Sequence, residues 1–148
     1  MKINHQIYIK APSEKVYKTL TTAEGWNAWF TDHTVLYMDE NGGGKINLCW
    51  SNYGSKKENI KDGGAILAAV PNKSFIFQWS PGENPTTVQF ELRPYKDGTL
   101  LLLDESGYAS SPKDISACIG CAVGWGEALA LLKIFIEYGI ICKEDYRF

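Results

Sequence analysis

From Lys2 to Lys10 apolar and polar residues alternate, with Ile3, His5, Ile7 and Ile9 on one side and Asn4, Gln6, Tyr8 and Lys10 on the other. That period predicts a strand with one face to bury. Ala11-Pro12-Ser13-Glu14 interrupts the alternation and offers Pro and Ser at a helix start, and Val16, Tyr17 and Leu20 follow at helical spacing. A short helix is expected here, and a second over Thr22 to Phe30.

From His33 onward the chain divides into segments of strand length: His33 to Met38, Lys45 to Trp50, Gly64 to Val70, Ser74 to Trp79, Thr86 to Arg93 and Thr99 to Glu105. Between them lie Asn41-Gly42-Gly43-Gly44, Lys61-Asp62-Gly63, Pro71-Asn72-Lys73, Pro81-Gly82-Glu83-Asn84-Pro85 and Lys96-Asp97-Gly98. These separators are rich in residues that permit tight or positive-φ turns, so the strands should follow one another as hairpins in an antiparallel meander. Ile46, Leu48 and Trp50, then Phe75, Phe77 and Trp79, then Val88, Phe90 and Leu92 fall on one face of that sheet. Lys45, Asn47, Gln78, Gln89, Glu91 and Arg93 fall on the other, which predicts one buried and one solvated face.

Roughly from Ala122 to Tyr138, Trp125, Leu129, Leu132 and Ile136 recur at i, i+4, i+7 and i+11, with Leu131, Phe135 and Tyr138 beside them. This predicts a long helix with a broad apolar face. A sheet and a helix that each carry one apolar face must meet. The expectation is an α+β helix-grip architecture: one domain over residues 1–148, a curved antiparallel sheet around a long C-terminal helix, with two short helices after the first strand.

The chain's 148 residues suffice for one core. Lys+Arg 15 against Asp+Glu 17 gives a net charge of -2, with no excess of positive charge to hold a phosphate backbone, so nucleic acid is not an expected partner. The N-terminus lacks the apolar stretch of a secretory signal, and no window holds the ~18 uninterrupted apolar residues of a membrane span. A cytoplasmic location follows as an expectation, in which Cys49, Cys118, Cys121 and Cys142 stay reduced. Aromatic residues make up 13% of the chain, more than a small core needs for filling, so some of the rings are expected to line a cavity.

The ring set Trp29, Phe30, Trp50, Phe77, Trp79, Phe90 and Trp125, with Leu129 beside it, falls on or next to the inner faces and is the candidate pocket wall. Core packing is the competing reading for about half of such a set. Glu105 continues the Leu101, Leu103 alternation and should point inward, where a carboxylate needs a partner. It is the candidate polar anchor for a ligand, the alternative being a carboxylate that caps a neighbour or reaches water at the strand end. His5 could be a second anchor, although a core histidine with a satisfied hydrogen bond is the better reading. Cys118-Ile119-Gly120-Cys121 has the spacing of redox and zinc motifs, but no βαβ unit surrounds it and no second ligand pair lies nearby. If the last helix begins early, both thiols face the cleft. Gly42-Gly43-Gly44-Lys45 is followed by Ile46 and a strand, so it reads as a hairpin turn and not a phosphate loop. No catalytic residue, metal site or cofactor is predicted.

Ile9-Lys10-Ala11-Pro12-Ser13-Glu14-Lys15-Val16-Tyr17, followed by Leu20-Thr21-Thr22 and Trp29-Phe30, resembles the opening of the START/Bet v 1-like (SRPBCC) superfamily. Pro71-x-x-x-Phe75-x-Phe77-x-Trp79, Thr87-Val88-x-Phe90-x-Leu92 and Gly98-Thr99-x-Leu101-x-Leu103-x-Glu105-x-Gly107-Tyr108 resemble the branch named after the activator of the heat-shock-protein-90 ATPase, and Gly124-Trp125-x-Glu127-Ala128-Leu129-x-x-Leu132-Lys133 resembles the start of its closing helix. The resemblance implies a helix-grip fold and, most often in the superfamily, a hydrophobic small molecule or lipid-like ligand held between sheet and helix. A chaperone-associated interaction module is the second expectation. It ranks below the first because the chain is expected to lack the separate N-terminal domain with which the namesake docks. A cyclase or aromatase ranks third, since only Glu105 and His5 offer acid-base groups.

Overall fold

The computed structural model describes residues 1–146. The opening alternation forms β1 (Lys2–Ile9), followed by α1 (Ser13–Leu20) and α2 (Ala23–Trp29). Thr22 caps α2, its hydroxyl accepting the Gly25 N–H at 3.1 Å. The meander is β2 (His33–Met38), β3 (Gly44–Tyr53), β4 (Glu58–Val70), β5 (Ser74–Trp79), β6 (Thr86–Tyr95) and β7 (Gly98–Ser106), and the chain closes with α3 (Pro112–Tyr138) and a 3₁₀ turn (Lys143–Tyr146).

The seven strands form one antiparallel sheet in the order β1-β7-β6-β5-β4-β3-β2. β1 pairs with the last strand, Ile3 opposite Glu105 and Ile9 opposite Thr99. β1 and β2 therefore lie at opposite edges, and α1 and α2 carry the chain between them, α1 touching β5, β6 and β7 and α2 touching β2. The residues assigned to the inner face are the core: Ile46, Leu48, Phe75, Phe77, Val88, Phe90, Leu101 and Leu103 are buried against Trp26, Trp125, Leu129 and Leu132. The glycine run before Lys45 is a hairpin turn, with the Asp39 carboxylate accepting the N–H groups of Asn41 and Gly43.

Most boundaries fall within three residues of those the pattern predicts, and two differ by more. β4 begins at Glu58 and not at Gly64, because the β3–β4 hairpin reverses over Gly54–Lys57 and Lys61-Asp62-Gly63 is strand, not turn. The register slips between Trp50 and Tyr53 in β3 and between Ile66 and Ala68 in β4, irregularities of the kind that bend a strand. At Gly63 and Gly64 a Cβ would lie 2.1 Å from the Ile46 carbonyl oxygen and 2.6 Å from that of Gln78, so neighbouring backbones occupy the space on both sides of β4. These residues read as a turn because glycine is what such close approach requires.

α3 begins at Pro112, ten residues before Ala122. Gly120, Gly124 and Gly126 each weaken helix propensity by about 1 kcal/mol, which is why pattern alone does not support the early start. Tertiary contacts decide otherwise. Ser111 Oγ accepts the Asp114 N–H at 3.2 Å, and the buried Asp114 carboxylate accepts the N–H of Glu83 at 2.6 Å, that of Ala109 at 2.7 Å and the Asn84 side-chain amide at 3.2 Å. The β5–β6 loop is thereby fastened to the first turn of α3. At Gly82 a Cβ would meet Asp114 Oδ1 at 2.2 Å, so the loop closes on the carboxylate with no room for a side chain. At the other end Lys133 Nζ donates to the Tyr8 carbonyl and Lys15 Nζ to that of Ile136, and Gly139, at φ 68, ends the helix in the left-handed region.

By length and composition α3 could cross a membrane, with mean hydropathy 1.7. Glu127 and Lys133 interrupt its apolar run, and Trp125, Ala128, Leu129, Leu132 and Ile136 are buried in the core that it shares with the sheet. Tyr138, placed by spacing beside that face, is exposed.

The N–H groups of Ala109 and then Glu83 hold the Asp114 carboxyl below the usual carboxylate range. A depressed carboxyl contributes stability above its unfolded pKa, and that contribution is lost as pH falls through the folded value. Asp114→Ala should lower the melting temperature at pH 7 by about 5 °C or more. The difference from wild type should close as pH falls below the ordinary carboxylate range. Circular-dichroism melts across pH check this, and a gap independent of pH would dismiss the carboxylate's role.

Candidate functional site

β7 ends its inward alternation on Glu105, which has no solvent exposure. Its Oε1 accepts from Trp79 Nε1 at 2.6 Å, Thr86 Oγ1 at 2.6 Å and the Tyr108 hydroxyl at 2.7 Å, and its Oε2 accepts from Trp125 Nε1 at 2.7 Å. Indole N–H groups only donate, so both tryptophans must point these edges at the carboxylate. β5, β6, β7 and α3 thus share one anchor. Sequence placed Glu105 inward correctly.

The rings held this way form the wall of a cleft of about 430 Å³. Trp79 and Trp125 stand 5.3 Å apart between centroids, Phe30 lies 5.9 Å from Trp125, and Trp50 meets Phe30 edge-on at 5.1 Å. Tyr53, Ile60 and Pro81 extend the apolar lining, and Lys61, Asp62 and Ser80 add polar atoms. α3 contributes Gly120, Cys121 and Gly124. A Cβ at Gly120 or Gly124 would meet nothing within 4 Å, so the missing side chains are part of the open volume. Trp50 Nε1 and, in the core, Trp29 Nε1 are buried with no partner among the described residues, and an unmet donor of this kind costs about 1–3 kcal/mol.

The electrostatics of the cleft are those of a negative interior. Burial, and then the bonds to Cys121 and Glu105, push the Tyr108 phenol far above its usual range, so it remains a donor. Burial pushes the Cys121 thiol up to about 11, with the charges of Glu105 and Asp62 adding to the effect and Tyr108 opposing it. A thiol so protonated is a poor nucleophile at neutral pH. Asp62 is also raised, first by burial and then by Glu105, although the N–H groups of Ser80 and Gly63 pull the other way.

Of the nine residues singled out from sequence, Phe30, Trp50, Trp79 and Trp125 line the cleft. Trp29, Phe77, Phe90 and Leu129 sit in the core, where Phe77 and Phe90 pack on Trp26, and Glu105 lies behind the wall. His5 Nε2 donates to the Ala122 carbonyl at 2.8 Å, the satisfied histidine that sequence favoured. Cys121 faces the cleft, as an early helix start implies; Cys118 does not line it. Sequence reading missed Asp62. It pairs with the buried Leu48 and so shares the inner face of β4, which continuing the alternation backward from Ile66 through Gly64 would have found.

Glu105→Gln replaces an acceptor by an amide whose N–H groups face the donors already present. Urea unfolding should show a loss of about 3 kcal/mol, with a shift in tryptophan emission as two indoles lose their acceptor. Unchanged stability and emission would mean that the carboxylate does not organise the wall.

No curated protein matches the chain in sequence. Among solved structures it is similar to protein SSP2350 from Staphylococcus saprophyticus, at 17% identity over 97% of this chain and 96% of that one, with a TM-score of 0.74. It is also similar to CalU16 from Micromonospora echinospora, at 25% identity over 91% and 73% with a TM-score of 0.70, and to the Aha1 dimer from Colwellia psychrerythraea, at 25% over 94% and 98% with a TM-score of 0.60. These likenesses extend the helix-grip fold to most of the chain. The family model for Activator of Hsp90 ATPase homolog 1-like protein matches residues 10–137, and the chain belongs to that family.

Proposed function

We propose that this protein binds an apolar, lipid-like or ring-bearing small molecule in the cleft between sheet and α3. The observation that carries the reading is the helix floor. Gly120 and Gly124 each cost α3 about 1 kcal/mol relative to alanine, yet a Cβ at either would enter open space, so packing does not demand them. Gly126, the third glycine of α3, packs on His5 instead, whereas Gly120 and Gly124 line the cleft and leave room there for an occupant. A cytoplasmic setting, with the cysteines as thiols, belongs to the same reading.

A protein partner is the second reading. Ile115, Ile119 and Val123 recur at i, i+4 and i+8 on α3 and are 39%, 64% and 60% exposed, an apolar stripe that a chaperone could cover. The Colwellia relative, described as Aha1, points the same way. Acceleration of an Hsp90 ATPase by the purified protein, abolished by Ile119→Asp, would be its signature. Cyclase or aromatase chemistry has less support, because Tyr108 and Cys121 are held protonated and leave Asp62 as the base within the cleft.

Native mass spectrometry of gently purified protein, with denaturing extraction of any adduct, tests the first reading directly. In parallel, N-phenyl-1-naphthylamine should bind saturably with enhanced fluorescence. Gly124→Leu should weaken it about ten-fold or more while the melting temperature holds or rises, since leucine fills the cleft and favours helix. Undiminished binding in that variant would remove the cleft as the site.

A further inference from the structure

Inward positions of a sheet are normally apolar, and on β4 the inner face runs Ile60, Asp62, Gly64, Ile66, with a carboxylate in the series. Asp62 Oδ1 accepts the N–H of Gly63 at 2.7 Å and of Ser80 at 2.8 Å, while Oδ2 has no hydrogen-bond partner among the described residues. Half-buried in the cleft lining, the group holds its proton more tightly than an ordinary aspartate, through burial first and the nearby Glu105 second. Its charge is under-compensated where it stands.

The walls around it suit positive charge. Trp79 and Trp125 turn their N–H edges to the buried Glu105 carboxylate, and donation to an anion leaves the indole faces richer in electrons. Those rings, with Phe30 and Trp50, form a chain of ring contacts in the cleft wall. A cation over such faces gains attraction that is largest where water is displaced. Among the described lining residues Lys61 is the only cation, and it stands on the exposed side of β4 beside Asp62.

We infer that the cleft recognises an organic cation, an amine or quaternary ammonium bearing an apolar group, with the charge between the tryptophan faces and the Asp62 carboxylate. The inference rests on the cleft being a ligand site and adds the chemical class of its ligand.

The test uses the full chain and two compounds of the same shape, benzyltrimethylammonium and its uncharged isostere neopentylbenzene, titrated by tryptophan fluorescence and calorimetry. The cation should bind about ten-fold or more tightly than the hydrocarbon. Asp62→Asn, whose amide oxygen can still accept from Ser80 and Gly63, should bring the ratio to within about two-fold, chiefly by weakening binding of the cation. Hydrocarbon binding equal to or tighter than that of the cation overturns the inference and leaves the cleft a site for neutral ligands. Saturation by neither compound overturns both this inference and the ligand reading. A preference that survives in Asp62→Asn overturns the role of its carboxylate, and the wild-type ratio remains decisive if that variant fails to fold.

Discussion

A carboxylate sealed from water must be met by donors, and Glu105 is met by four: two indoles, a threonine and a tyrosine. Because those groups come from β5, β6, the segment after β7 and α3, the bond set sets the distance between sheet and helix as well as satisfying one side chain. Each indole has a single N–H, and bonding it to Glu105 orients the whole ring. The Trp79 and Trp125 part of the aromatic wall is thus a consequence of a polar interaction, and its geometry would be far looser were it maintained by apolar contact alone.

The cleft persists because neighbouring elements are prevented from closing it. Asp114 fastens the first turn of α3 to the β5–β6 loop, while Lys133 and Lys15 fasten its far half to β1 and α1. Between these fixed ends the helix presents glycine to the cleft. Trp50 on β3 and Ile60 and Asp62 on β4 complete the lining from the sheet, next to the register slips of both strands. Violations of local preference, glycines in a helix and a carboxylate on an inner sheet face, gather where the molecule has open volume, and such places are where a fold gives up stability for function.

Charge organises the same region. Glu105 lends negative potential to a cleft in which Asp62 and Cys121, with Tyr108 nearby, are pushed toward their protonated forms. The same negative potential would attract a positive group, which is the physical basis of the inferred cation recognition. The architecture is that of the family, but function rests on the site itself, here the combination of walls, floor and inward carboxylate.

Much of this was legible from sequence. Period-2 alternation determined β1, β5, β6 and β7 and put Glu105 on the inner face, because a strand's side chains point to fixed sides whatever they touch. The apolar repeat from Trp125 to Ile136 determined the packed half of α3 in the same way. The first ten residues of α3 and the true start of β4 were not legible, since Gly63, Gly64 and Gly120 carry the local signature of turns, and Asp62 was missed with them although the alternation back from Ile66 carries it. Only tertiary structure decided those: backbone pressing on Gly63 and Gly64 from both sides, and loop N–H groups converging on Asp114. It also decided which aromatic rings became wall and which became core, because side-chain periodicity identifies the inner face but says nothing of where along that face the packing stops.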